Sequence, residues 1–371
     1  MLWGVWLLQG NNHAAYISWF DIKKPINELF IMEAHLRHAK SQGSNMAPPK
    51  ITLACSPSDR SRPILSGEIP VEGCETELHT REAAELLRTA ARDMIFDVTE
   101  MSLSTHLILT SRRSAHYTAI PAFHSRAFRH SSIYINRSSG IAAPGDLVGK
   151  QVGIQEYQQT AALWVRGMLK DEYGVDASAI FWRTGGLEKA GGSERIPVSL
   201  PEHISVRPIG PDQTLSAMLV SGEIDALISP RQPSVFAMPS VGQLFPNYRG
   251  AEEDYFRRTG FFPIMHAIGI RKSLADMHPW LPRAVYNAFC EGRRRALSDL
   301  ASTGVQRITL PWARAALDDA CALMGSDIWP YGIEKNRREL EAMARYAHEQ
   351  GLADRTINPA EMFHPSVLAE D

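Results

Sequence analysis

Beyond Lys50, apolar and polar residues alternate in two rhythms, one suited to strands and one to helices. Ile51–Cys55 is a short apolar run closed by the turn-rich stretch Ser56–Pro63, the pattern of a buried strand. Ala83, Ala84, Leu86, Leu87, Ala90 and Ala91 then recur at helical spacing behind an acidic start. Ile95–Val98 reads as a strand ending in Thr99, Glu100, Met101 and Ser102, and Tyr117–Pro121 as another. A second set opens at Asp146 with a strand over Lys150–Ile154, a polar turn over Gln155–Gln159, and a helix from Thr160. That helix puts Ala161, Trp164, Val165, Met168 and Leu169 on one face. Phe181–Leu200 is Gly-rich and charged and reads as a surface loop. Val206–Ile209, a helix over Leu215–Val220 and a strand over Ile224–Ile228 complete the set, with Ser229, Pro230 and Arg231 at its rim. Phe262–Ile270 is a return strand with His266 inside it, and helices follow over Arg283–Leu300 and Glu334–Gln350.

This rhythm predicts an α/β chain with mostly parallel sheets and ligand groups at the carboxyl ends of strands. FDVTEMS (Phe96–Ser102) and IDALISP (Ile224–Pro230) each follow a helix, carry Asp second in an apolar strand and end in polar residues. They read as counterparts in two crude repeats, although a likeness this short also arises by chance. A chain that leaves its first lobe near residue 136 and returns near 265 has a two-strand hinge. The expected lobes are therefore 46–136 with 265–371, and 137–264.

Residues 1–45 depart from this pattern. Leu2–Leu8 is apolar, but no Lys or Arg precedes it and no cleavage-type small-residue motif follows, so a secretory signal fits poorly. The run is far short of the roughly 20 residues that span a bilayer. The functional protein is expected to begin near Met46, with 1–45 as an extension.

Composition narrows the classes further. With 371 residues, 44% apolar and 22% charged, the chain can bury a large core in two lobes. A net charge of −2 argues against nucleic-acid binding. Cys55, Cys74, Cys290 and Cys321 lie far apart without CxxC or Cys/His ligand spacing, so reduced, buried thiols are expected, and neither a metal nor a disulfide framework.

The densest candidate chemistry is FHSRAFRHSSIY, Phe123–Tyr134, with His124, His130, Arg126, Arg129, Ser125, Ser131 and Ser132 just ahead of an alternating run. Arginine offers a planar fork to a carboxylate, serine adds a hydrogen bond, and histidine exchanges protons near neutral pH. A small acidic ligand is the natural guest, and a solvated basic turn is the bland alternative.

EMSLS (Glu100–Ser104), SRAFRHSSIYIN (Ser125–Asn136), GIQEYQQTAALWVRGML (Gly153–Leu169), GEIDALISPR (Gly222–Arg231) and DYFRRTGFFPIMH (Asp254–His266) run in order along the chain. Together they resemble the 4,5-dihydroxyphthalate decarboxylase family. The resemblance implies a type II periplasmic-binding-protein-like fold of two Rossmann-like lobes, a cytoplasmic location, and release of CO2 from a hydroxylated aromatic diacid to leave 3,4-dihydroxybenzoate. It implies no membrane and no cofactor, and it leaves assembly into a homo-oligomer open.

Such a reaction needs a base at the phenol, an acid at the ring carbon, cations for the remaining carboxylate and an apolar wall for the departing one. The expected catalytic groups are His130, with His266 or Glu100 as its counterpart. Arg126, Arg129, Ser131, Ser132 and Ser102 would hold a carboxylate from one side, and Arg231 with the helix start at Gln158 and Thr160 from the other. Arg60 and Glu156 complete the candidates. Structural alternatives stand beside each: His266 as a satisfied core residue, Glu100 as a helix cap near Ser102, Arg60 paired with Asp59, and Glu156 facing solvent. A metal held by His130, His266 and Glu100 is a further option that no spacing demands. The alternative function is a solute-binding protein that closes on an aromatic acid without chemistry.

Overall fold

The computed structural model describes residues 47–368, and the architecture below lies in the unit Pro49–Asp371. The expectations for residues 1–45 fall outside the described residues. The outbound path runs β1 (Lys50–Cys55), α1 (Arg62–Leu65), β2 (Glu75–Thr80), α2 (Ala83–Arg92), β3 (Val98–Ser102), α3 (Leu103–Ser111) and β4 (Tyr117–Arg126). Next come β5 (Ile133–Asn136), β6 (Gln151–Ile154), α4 (Thr160–Tyr173), β7 (Phe181–Thr184), β8 (Val206–Pro208), α5 (Leu215–Ser221), β9 (Ala226–Ile228), β10 (Val241–Gln243) and α6 (Tyr248–Thr259). The return path is β11 (Ile264–Arg271), α7 (Lys272–Met277), α8 (Leu281–Ala301), α9 (Ala313–Met324) and α10 (Arg337–Glu349).

Two sheets carry these strands, in the orders β2-β1-β3-β11-β4 and β10-β5-β9-β6-β7-β8. Reversed, the second sheet matches the first strand for strand, with β8 added at its edge. In each, a parallel pair (β1–β2, β6–β7) abuts a parallel strand (β3, β9), and one strand (β11, β5) then runs antiparallel to both its neighbours, with β4 or β10 beyond it. Each sheet is thus mostly parallel, as expected, with one opposed strand, because β11 and β5 each cross from the other lobe and enter antiparallel.

The two Asp-bearing strands are counterparts in hydrogen bonding as well as order. Asp97, just ahead of β3, accepts from the Thr52 amide at 2.9 Å, and Asp225, just ahead of β9, accepts from the Gln151 amide at 2.8 Å. Their carbonyls accept from Arg271 of β11 and Asn136 of β5 at 2.8 and 2.9 Å. Each aspartate ties the start of a central strand to the parallel neighbour on one side and the antiparallel neighbour on the other, which fixes register where the hydrophobic pattern alone is weak.

The crossings fall between Arg126 and Ile133 and between Gln243 and Ile264. Ile133–Asn136 was expected in the first lobe; it pairs with β9 and β10 and belongs to the second sheet. Phe181–Thr184, expected within a loop, is an inner strand between β6 and β8.

The C-terminal helix α10 braces both lobes. Tyr346 packs against Gly167 of α4 so closely that a Cβ there would meet its ring at 2.4 Å, and it lies edge-on to Trp164. The Trp164 indole donates to the Ile264 carbonyl at 2.9 Å, fastening α4 to the return strand. No helix among the described residues is long and apolar enough to cross a membrane.

Candidate active site

Three strands of the first sheet and the residue after a fourth bring a polar network together. Glu100 lies in β3, whose five residues are all buried, so its carboxylate has to find partners inside the protein. It finds them in neighbouring strands: Oε1 meets His266 Nδ1 of β11 at 2.6 Å, and Oε2 accepts from the Ser56 amide at 2.9 Å and its hydroxyl at 2.5 Å. His124 of β4 lies behind this pair, with Nε2 3.6 Å from Glu100, 3.4 Å from Cys55 Sγ and 3.1 Å from the Ser56 carbonyl. Burial opposes the charge on Glu100, but the adjacent imidazoles and the Ser56 donors outweigh it and hold the carboxyl well below the usual carboxylate range. Burial lowers His124 against the pull of Glu100 and, together with the Glu100 charge, pushes the Cys55 thiol up. Cys55, Glu100 and His124 also offer ligand atoms within 4.8 Å of one another, a donor set of the kind zinc accepts.

His266 connects this network to a cavity of about 300 Å³ between the lobes. Glu100 fixes the proton on Nδ1, which leaves Nε2 without a protein partner among the described residues. Four guanidiniums border the same cavity: Arg88 from α2, Arg129 from the crossing, and Arg195 and Arg231 from the second lobe. Glu156 is the one carboxylate among the lining residues, and it is bound by Arg195 at 2.7 and 3.0 Å. Arg129 points Nε at Met265 Sδ, 3.3 Å away, and burial draws its guanidinium down to about 10. The excess of cations suits a dianion, and Leu87, Ala161 and Met265 add an apolar wall.

The chain is 40% identical to 4,5-dihydroxyphthalate decarboxylase of Comamonas testosteroni over 325 residues, covering 87% of this chain and 98% of that protein. It belongs to the 4,5-dihydroxyphthalate decarboxylase family. A second relative, 4,5-dihydroxyphthalate decarboxylase of Pseudomonas putida, is 38% identical over 57% of this chain and 83% of its own length. No family model matches the chain. Among solved structures, the sulfonate-binding protein SsuA from Methylobacillus flagellatus KT superposes with a TM-score of 0.51, covering 87% of this chain and 94% of that one at 11% identity. That likeness establishes the type II periplasmic-binding-protein-like fold alone.

Within this decarboxylase-family chain, the structure gathers about half of the expected residues. His266, Ser102, Arg129, Glu156, Thr160 and Arg231 all border the cavity, with Glu100 directly behind His266. Thr160 reaches across the lobes to the hydroxyls of Ser102 and Ser104, each at 2.9 Å. The cap of α3 is Ser102, whose side chain accepts from the Thr105 amide, so Glu100 is free of that role.

His130 is not among them. It is 1% exposed, lies edge-on to Phe245 and Tyr255 with ring centroids 5.0 and 5.3 Å away, and has both ring nitrogens buried without partners. Burial, then Arg258, lowers it to about 4, so it is a neutral ring in an aromatic cage. A metal shared by His130, His266 and Glu100 therefore has no geometry here. Arg126 is equally diverted: its guanidinium donates to the Phe262 and Pro330 carbonyls, each at 2.8 Å, to Asn336, and to Glu339 at 3.3 Å. Ser131 donates to Glu252 from amide and hydroxyl, and Ser132 is buried below the turn. Arg60 stacks on Trp329 and pairs with Asp59. Gln158 is buried with its amide group on the Ile196 carbonyl, and the backbone amides of Tyr157 and Gln158, just ahead of the helix that starts at Thr160, donate to Glu194 at 2.5 and 3.4 Å. The thiols depart from expectation in burial: Cys55 is fully buried, but Cys74, Cys290 and Cys321 are only partly so.

Arg88, Arg195 and Ser56 were not foreseen as site residues. Arg88 had a readable signal, since it continues the polar face of the Ala83–Arg92 helix into the cleft. Arg195 had none, because a Gly-rich segment carries no period from which a direction can be read.

Proposed function

We propose that this chain decarboxylates a hydroxylated aromatic diacid, 4,5-dihydroxyphthalate being the leading substrate, and releases 3,4-dihydroxybenzoate and CO2. The observation that carries this reading is the Glu100–His266 pair opening onto a cavity with four arginines and one carboxylate. The names of the two relatives support the substrate.

Each substrate carboxylate is para to a phenolic oxygen. Removing that phenolic proton sends electron density to the carboxyl-bearing carbon, which takes up a proton. The bond to the carboxylate then breaks, its electron pair restores the ring, and CO2 departs; overall one proton replaces one carboxylate. His266 serves as the proton carrier at the ring, with Glu100 holding its tautomer. Arg129 and Arg231 grip the carboxylate that stays, Arg195 adds a third cation, and the Met265 and Leu87 side desolvates the one that leaves.

Incubation of the purified protein with 4,5-dihydroxyphthalate tests this by CO2 release and the ultraviolet change to 3,4-dihydroxybenzoate. Turnover that disappears in His266→Ala supports the assignment. Tight binding without turnover would identify a solute receptor instead, the reading to which the cleft and the arginines are equally suited.

A further inference from the structure

The segment after β7 crosses the gap between the lobes and is held there from three sides. Arg92, at the end of α2 in the first lobe, donates from Nε to the Arg195 carbonyl at 2.9 Å. Its Nη2 donates to the Glu194 carbonyl at 2.7 Å and to the Ser193 hydroxyl at 3.3 Å. Arg112, just after α3, donates to the Pro197 carbonyl at 2.7 Å. From the second lobe, the Tyr157 and Gln158 amides hold the Glu194 carboxylate, and Gln158 Nε2 reaches the Ile196 carbonyl at 3.0 Å. Arg195 follows directly and grips Glu156 at the cavity wall.

We propose that Arg92 is a positioning residue for Arg195, locking the Ser193–Arg195 strap across the cleft so that Arg195 stands on the cavity wall as a carboxylate-binding group. This rests on the decarboxylase reading above.

Two features make the lock necessary. The strap follows Gly191 and Gly192, both at positive φ, so its approach is built of residues with wide conformational freedom that something must remove. Arg92 also bonds mainly to backbone carbonyls, so it fixes where the strap runs whatever side chains it carries. Because α2 belongs to the first lobe and the strap to the second, opening the cleft must break these bonds. They therefore favour the arrangement in which Arg195 faces the guest, and a guest held by Arg195 in turn favours the locked strap.

The test compares wild type with Arg92→Ala and Arg92→Lys in the full chain, using 4,5-dihydroxyphthalate kinetics and hydrogen exchange of the ligand-free protein. Arg92→Ala is expected to raise KM about tenfold with kcat within about twofold, because it loosens a binding group without touching the proton carrier. The amides of Tyr157 and Gln158, which the Glu194 carboxylate holds, should exchange at least tenfold faster. Arg92→Lys, which can still reach a carbonyl, should recover part of both. An unchanged KM, a loss confined to kcat, or unchanged exchange at these amides overturns the proposal. Should the wild type fail to turn over 4,5-dihydroxyphthalate, the decarboxylase reading falls, while the exchange measurement by itself still decides whether Arg92 locks the strap.

Discussion

His266 and His130 both stand beside the crossings between the sheets, yet one is built into a polar network and the other into an aromatic cage. His266 lies in β11, between Ser102 of β3 and Ser125 of β4 in register, with an ionised carboxylate at 2.6 Å and a cavity at its edge. His130 opens a short turn that packs its ring onto Phe245 and Tyr255 with no polar partner. The same side chain thus pairs with a carboxylate at a cavity wall in one setting and is packing in the other. What decides is whether a fixed charge and an open space share the site, since a buried imidazole without either is held neutral by desolvation.

The sharpest way to break this contrast is to remove each ring. His266→Ala is expected to lower kcat by about 10²–10⁴, the usual worth of a positioned acid or base. His130→Phe should leave kcat within about twofold. Equal losses in both, measured by steady-state kinetics, would erase the distinction.

Glu100→Gln comes next. The amide keeps the shape but cannot bind the Ser56 donors and two imidazoles as an anion, so kcat should fall about a hundredfold and stability by about 2–4 kcal/mol at neutral pH. The sign of the pH effect follows from the direction of the shift. The folded carboxyl lies below its unfolded value, so its contribution is complete above the ordinary carboxylate range and fades as pH falls toward the folded value. Urea unfolding of wild type and variant should therefore converge as the buffer is acidified. A gap that stays constant would show that Glu100 is not ionised.

The readable part of the chain was its periodicity. Ile51–Cys55 and the Thr160 helix stand where alternation and helical spacing put them, while the strands beside Asp97 and Asp225 begin at Val98 and Ala226 rather than at Ile95 and Ile224. Glu100 and His266 were legible because each is a polar residue inside an apolar strand, where a partner has to be supplied. Side-chain direction in short irregular segments was not legible. Pro121 marked a strand end in the sequence, since proline breaks a ladder, but β4 continues to Arg126, and this delivers His124 to Glu100. Four residues later the turn at His130–Ser132 points inward. Density of polar residues in Phe123–Tyr134 carries no side-chain direction, because nothing local says which guanidinium will meet Glu339 from 213 positions away.

Arg126 and Arg129 carry the contrast to the cations. Arg126→Ala strands Glu339 in the interior and should cost about 3 kcal/mol in unfolding free energy. Arg129→Ala should leave the midpoint of unfolding nearly unchanged and raise KM about tenfold. A KM effect for Arg126→Ala in protein that remains folded would place it in the site after all.

The smallest expected effect sharpens the cage side of the comparison. His130 sits at about 4 when folded, below the ordinary histidine value near 6.5, so the unfolded chain binds its proton first as pH falls. The stability that a neutral His130 preserves is complete above about pH 6.5 and is lost between there and about pH 4, by at most about 3 kcal/mol from this ring. His106, lowered to about 4 by burial with its ring nitrogen on the Met362 carbonyl, adds a parallel loss that the substitution leaves in place. His130→Phe should therefore match wild type at pH 7.5 and exceed it at pH 5, the difference opening across that window in urea titrations. If the two curves stay parallel, the ring is solvated, the cage around it is open, and the division between the two histidines has to be redrawn.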